Sequence, residues 1–220
     1  MGHAVKFVSV TNGDAGHHEL RGPALAERRR AEACEAGRRL GVTAEVLGFH
    51  DGELLPAIKA RREIIRLIRE WRADIVMGPR PNDYHPDHRA CGLLVQDAAY
   101  MVTVPAIVPE TAALRKNPVF LYFEDRFERP NPFRADVTVP IDEAIELKLD
   151  ALDAHASQFY EWLPWLDGRL AEVPAHGRRE WLAQRWPAFV RPTEAFEVCE
   201  YGARVDAGRL REMLQTEPRP

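Results

Sequence analysis

The 220-residue chain has the size of one compact domain with an elaborated tail, and its 45% apolar and 29% charged residues exclude a disordered chain. A formal charge of -4 with scattered basic residues argues against nucleic acid or an acidic membrane surface as partner, and no apolar run approaches the ~18 residues that span a bilayer. Cys34, Cys91 and Cys199 are odd in number and far apart, which speaks against a disulfide framework or a thiolate zinc site and for a reducing, cytoplasmic compartment.

Val5–Val10 is β-branched and aromatic and runs into the turn formers Thr11-Asn12-Gly13-Asp14-Ala15-Gly16, a strand followed by a loop. Pro23 suits the start of a helix carrying the apolar stripe Leu25, Ala33, Ala36 and Leu40, which Gly41 ends; Arg29 interrupts that stripe. A second strand, Ala44–Phe49, closes on His50-Asp51-Gly52. A helix follows, marked by Ile58, Ile64, Ile65, Ile68 and Trp71. Asp74–Gly78 has the continuous apolar character of a strand buried on both faces, a helix opens at Pro86, and Val119–Phe123 supplies another strand. Asp142 is the expected N-cap of a helix carrying Ile145, Leu149 and Leu152. From about Tyr160 the chain is rich in tryptophan and proline and reads as an irregular extension, 160–220, of a single domain spanning 1–220. Strands alternating with single helices imply a Rossmann-like, mostly parallel sheet with helices on both faces.

Ligands of such sheets bind outside the carboxyl ends of the strands, which draws attention to the loops 11–18, 50–52 and 80–88. His85 and His88, three apart at a helix start, can turn both imidazoles toward one point, as ligation of a divalent metal requires. Asp83 and Asp87 are stabilised as anions at a helix N-terminus, and either could orient a histidine. The competing reading is that both carboxylates only cap the helix. Two histidines do not complete a catalytic zinc site, which takes about three protein ligands. Arg29 pairs internally with Glu32 or serves a ligand; Asp51 makes a turn or accepts hydrogen bonds from hydroxyls. His17-His18 reads as an exposed pair on the site rim. Asp14 reads as a turn residue, and His155 as a cationic cap at a helix C-terminus. Packing is the commoner role for Trp162, Trp165, Trp181 and Trp186.

Together, Thr11–Gly16, Arg29-Arg30-Ala31-Glu32-Ala33, Gly48-Phe49-His50-Asp51-Gly52, Pro81-Asn82-Asp83-Tyr84-His85-Pro86-Asp87-His88 and Lys148–Gln158 resemble, in family order, the LmbE-like or PIG-L family of zinc-dependent N-deacetylases. The resemblance implies removal of an acetyl group from an N-acetylglucosamine-type amino-sugar conjugate by a metal-activated water. His88 would be a metal ligand, His85 would act at the developing tetrahedral intermediate with Asp87 in support, and Arg29, Asp51 and Asp83 would face the sugar. The family's His-Pro-Asp-Asp motif, source of two further ligands and the base, does not occur in this sequence. A first central strand with its loop and helix, about 25–30 residues in all, is therefore expected to be missing, leaving strands with unpaired backbone groups. The rival readings are a catalytically inactive carbohydrate-binding homologue, substitution of the missing ligands by Asp14, His17 or His18, and a two-metal phosphoesterase, which would need more ligands than the chain shows. Whether the chain forms a homo-oligomer is not decided by its residues.

Overall fold

The computed structural model describes residues 2–215, which divide into two compact units: 2–52 with 140–193, and 53–139 with 194–215.

In the first unit β1 (Lys6–Thr11) and β2 (Thr43–Phe49) pair in parallel, from Lys6 opposite Thr43 to Ser9 opposite Val46, with an irregularity before Thr11 meets Phe49. Helix α1 (Gly22–Leu40) makes the crossover and buries Leu25 and Ala36 from its apolar stripe. A Cβ at Gly37 would lie 2.8 Å from the Cβ of Ala44, so the missing side chain is what lets α1 approach β2. Gly41 ends the helix in the left-handed conformation, at φ 68°. Ala151 and Ala154, at the end of α4 (Ile145–Asp153), pack with Ala36 of α1. Asp142 does not cap this helix: it stands inside a 3-10 turn, Asp142–Ala144, and the N-cap position of α4 falls to Ala144.

The aromatic-rich segment is ordered. A π-helical turn (Ser157–Trp162) leads into α5 (Leu163–Leu166), and α6 (Arg178–Arg185) follows. Leu149, Phe159, Tyr160 and Leu182 form a core against which Trp181 and Trp186 pack, so burial of ring surface accounts for those tryptophans.

The second unit holds α2 (Ile58–Trp71), β3 (Ile75–Gly78), α3 (Pro86–Met101), β4 (Val119–Phe123), β5 (Val137–Pro140), β6 (Thr193–Val198) and α7 (Ala207–Gln215), with its sheet in the order β3-β4-β6-β5. β3 and β4 are parallel, whereas β6 runs antiparallel to β4, so the sheet is mixed and the late segment contributes a strand that its composition did not disclose. Strand pairing thus gives two sheets, and among the described residues β1 pairs only with β2 and β3 only with β4. No helix among the described residues is long and apolar enough to cross a membrane.

Ile64, Ile65 and Ile68 of α2 are buried, while Ile58 at its start stays exposed. Arg69, also buried, donates to the carbonyls of Met101, Val102, Val104, Ile107, Val108 and Thr111 at 2.5–3.2 Å. Met101, Val102, Val104 and Val108 each also accept one backbone amide, so the guanidinium fills their second lone pairs and ties the end of α3 to the turns after it. Burial holds that guanidinium below its ordinary pKa, with Glu110 opposing. Replacing Arg69 with Met is expected to remove six hydrogen bonds that tie the end of α3 to the turns after it and cost about 3 kcal/mol in a urea unfolding titration; an unchanged midpoint would show that the loop closes without it.

Candidate functional site

Two groups of functional side chains are assembled, one in each unit. In the second unit, Gly78 ends β3 and the chain turns through 79–85 into α3. A Cβ at Gly92 of α3 would fall 2.8 Å from the carbonyl oxygen of Pro79, so only a bare backbone there allows the helix to lie against the strand exit. Pro86 occupies the first helical turn, where its missing N–H costs nothing. The buried Arg80 forms a two-pronged pair with Asp125 at 2.5 and 2.6 Å and reaches the carbonyls of Phe127 and Asn131, which fixes the loop ahead of the helix.

The helix start then settles the two histidines. Nδ1 of His85 accepts a hydrogen bond from the Asp87 backbone amide at 3.2 Å, so its ring proton lies on Nε2. Nδ1 of His88 lies 3.1 Å from Oδ1 of Asp83, an acceptor, so His88 carries its proton on Nδ1 and presents a lone pair on Nε2. The same Asp83 oxygen accepts the His85 amide at 2.8 Å. The two rings stand 4.8 Å apart, with the exposed Tyr84 edge-on to both. Adjacent imidazoles therefore offer opposite functions, a donor at His85 and an acceptor at His88. Asp87 is 4% exposed and its carboxylate accepts the Leu54 amide at 3.1 Å. It supports His85 through its own backbone N–H.

In the first unit, Arg29 and Asp51 border a cavity of about 340 Å³ together with Asn12, Glu32, His155 and Gln158. Gly13 sits at φ 71°, and a Cβ there would meet Cδ of Arg29 at 2.7 Å, so glycine supplies both the conformation and the room. Arg29 donates to the carbonyl of Gly16, and burial lowers its pKa while Asp51 and Glu32 act in the opposite direction. The expected Arg29–Glu32 pair is not formed. Glu32 instead accepts from Arg28, one helical turn back, and from the amide and hydroxyl of Ser157 at 2.9 and 2.6 Å. Asp51 accepts from the Thr11 hydroxyl, and Asp14 accepts the Asp51 amide at 3.0 Å. Asp14 is also 2.6 Å from Nδ1 of His50. Burial pushes the Asp14 carboxyl up, but the hydrogen bonds from His50 and the Asp51 amide outweigh it and hold the group below the usual carboxylate range. Asp14 therefore ties the β1 and β2 exits together, a larger role than a turn residue.

Three expectations are corrected here. His17 is buried, its side chain 1% exposed: Nδ1 accepts the amides of Glu19 and Leu20, and Nε2 donates to Glu161 at 2.8 Å. His18 stacks between His17 and Trp165 and is likewise no exposed rim residue. His155 is no cationic helix cap, since burial lowers its pKa, with Glu32 opposing and Arg29 adding to the effect. Sequence reasoning passed over His155 and Gln158 as binding groups; their lying two residues before and one residue after Ser157, the residue Glu32 grips, is a relation that only the fold reveals.

Residues 1–99 match the family model described as PIG-L: GlcNAc-PI de-N-acetylase. Over residues 1–99 the chain is similar to that family. A diacetylchitobiose deacetylase of Thermococcus kodakarensis is 33% identical over 178 residues, which are 74% of this chain and 64% of that protein, so the match spans less than two thirds of that relative. The crystal structure of the N,N'-diacetylchitobiose deacetylase of Pyrococcus horikoshii with its inhibitor MPG superposes with a TM-score of 0.68 at 26% identity, over 91% of this chain and 74% of that one. The 4-carboxy-2-hydroxymuconate hydratase GalB of Pseudomonas putida superposes with a TM-score of 0.69 at 19% identity, over 93% and 86%, and shows a shared fold alone. The PIG-L match includes Arg29, Asp51 and the whole of Asp83–His88.

Glu161 receives Arg28 through both oxygens as well as His17, and the hydrogen bonds from Arg28 are the main reason its carboxyl is held below the ordinary 4.5. Because the folded-state value is depressed, the stability it brings is present above about pH 4.5 and fades as pH falls through the lower folded-state value. Glu161→Gln is expected to destabilise the chain by about 1–2 kcal/mol at pH 7. Urea titrations of parent and variant should converge at low pH; a pH-independent gap would remove the carboxylate from the account.

Proposed function

We propose that the protein is a metal-dependent N-deacetylase that releases acetate from an N-acetylglucosamine-type amino-sugar conjugate in the cytoplasm. The observation that carries this reading is the opposed pair at the start of α3, where His88 offers a lone pair and His85 offers a proton. Hydrolysis of an amide asks for both: a site of positive charge that activates water, and a donor aimed at the oxyanion of the tetrahedral intermediate. The matches to deacetylases fit the same chemistry.

His88 fits one position of a zinc ion, because Asp83 fixes its ring and directs Nε2 outward, as carboxylates behind metal-binding histidines do. Among the described residues no group of three His, Cys, Asp or Glu side chains is placed to hold an ion, so these residues make a partial donor set. Bound zinc would supply a Lewis acid and lower the pKa of water. The remaining roles fall to the chain's own side chains. His85 holds its Nε2–H for the oxyanion without reorganisation, since the Asp87 amide has already chosen the tautomer. Within the other unit, Arg29 and Asp51 offer a donor and an acceptor suited to sugar hydroxyls.

The partial donor set favours a second reading, a carbohydrate-binding chain without turnover. Acetate release separates the two. The deacetylase reading expects zinc in the purified chain and acetate from N-acetylglucosamine oligomers. It also expects a loss in kcat of about 10²–10³-fold in His85→Ala with zinc retained, and zinc affinity lowered about 10–100-fold in Asp83→Asn. Sugar binding without zinc or acetate would establish the second reading.

A further inference from the structure

Two of the residues that line the cavity each carry a buried polar atom that no other group satisfies: Nε of Arg29, a donor, and Oε1 of Gln158, an acceptor. Buried polar atoms in folded proteins are paired almost without exception, so an unpaired donor and an unpaired acceptor on two residues of one cavity wall point to a ligand's polar groups there. Glu32 is not available to that ligand, because its oxygens already serve Arg28 and Ser157. Its grip on Ser157 instead fixes the start of the π-helical turn that carries Gln158, while Phe159 and Tyr160 anchor the other side of the turn in the core. π-Helical turns are rare and concentrate at functional sites. His155, two residues before Ser157, adds a ring held toward its neutral form by burial, which offers one donor and one acceptor.

We propose that Gln158 and His155 are specificity-determining residues that read the ring hydroxyls of a single pyranose, with Gln158 accepting from one hydroxyl and Arg29 Nε donating to its neighbour. This rests on the amino-sugar reading above and extends it from Arg29 and Asp51 to the wall formed by the π-helical turn. The ligand must be both donor and acceptor at adjacent positions. Vicinal hydroxyls meet that demand, whereas a carboxylate or phosphate would leave Gln158 Oε1 facing negative charge. A volume of about 340 Å³ stands at the small end of ligand pockets and suits one ring, with the rest of the conjugate outside.

Calorimetric titration of the full chain with N-acetylglucosamine and its 3-, 4- and 6-deoxy analogues tests this. The chain should lose about tenfold in affinity for one or two of these analogues. Gln158→Met, close to glutamine in shape, should weaken binding of the parent sugar by a similar factor and bind one of those deoxy analogues as well as it binds the parent. In the unaltered chain, the imidazole ¹⁵N resonances of His155 should shift with the parent sugar, a readout that does not require the variant to fold. Sugar binding that is indifferent to every hydroxyl, or to Gln158→Met in a folded variant, overturns the proposal while leaving the deacetylase reading standing. Failure of the chain to bind any of these sugars also overturns the proposal, while acetate release from N-acetylglucosamine oligomers decides the deacetylase reading separately.

Discussion

The first turn of α3 solves two problems with the same hydrogen bonds. A helix start leaves amide groups without partners, and here the Asp87 amide is met by a ring nitrogen of His85 while the His85 amide is met by Asp83. A ring that caps a helix through Nδ1 has no freedom in where its proton sits. A carboxylate that caps and also accepts from His88 determines the second ring in the opposite sense. The arrangement in this loop, one ring donor and one ring acceptor side by side, follows from satisfying the backbone. Everything that steadies the turn, including Arg80 on Asp125 and the bare backbone of Gly92, serves that selection.

The other unit applies the same economy to a cavity. Asp14 and Glu32 each bind both backbone and side-chain groups: one joins the exits of β1 and β2, the other joins α1 to the π-helical turn. With their hydrogen-bonding capacity occupied in this way, Arg29 and Gln158 are left with polar atoms for a ligand. Burying such atoms unpaired costs free energy that the bound state can recover. A site that binds tightly therefore weakens its own empty form.

Much of the fold was legible because it rests on local rules. The strand at Val119–Phe123, the glycine stop at Gly41 and the helix opening at Pro86 all follow from side-chain shape and backbone freedom within a few residues. The cluster at 83–88 was legible for the same reason, since its partners are at most five residues apart. What escaped depends on distant pairing. Glu32 passes over Arg29, three residues back, in favour of Arg28 and of Ser157, 125 residues away. His17 is buried because Glu161, 144 residues on, receives it. The antiparallel β6 has no period that separates it from the aromatic segment before it, and the π-helical turn is imposed by core contacts on one side and Glu32 on the other.

The claim on which the account turns is that His85 and His88 carry their protons on opposite nitrogens. Long-range ¹H–¹⁵N correlation spectra of the histidine rings at neutral pH report this directly. The expected result is an Nε2–H tautomer for His85 and an Nδ1–H tautomer for His88, with the His88 assignment reverting to the common Nε2–H form in Asp83→Asn. Finding both rings in the same tautomer in the unaltered chain would contradict the account, because the helix start would then not set a donor on one ring and an acceptor on the other.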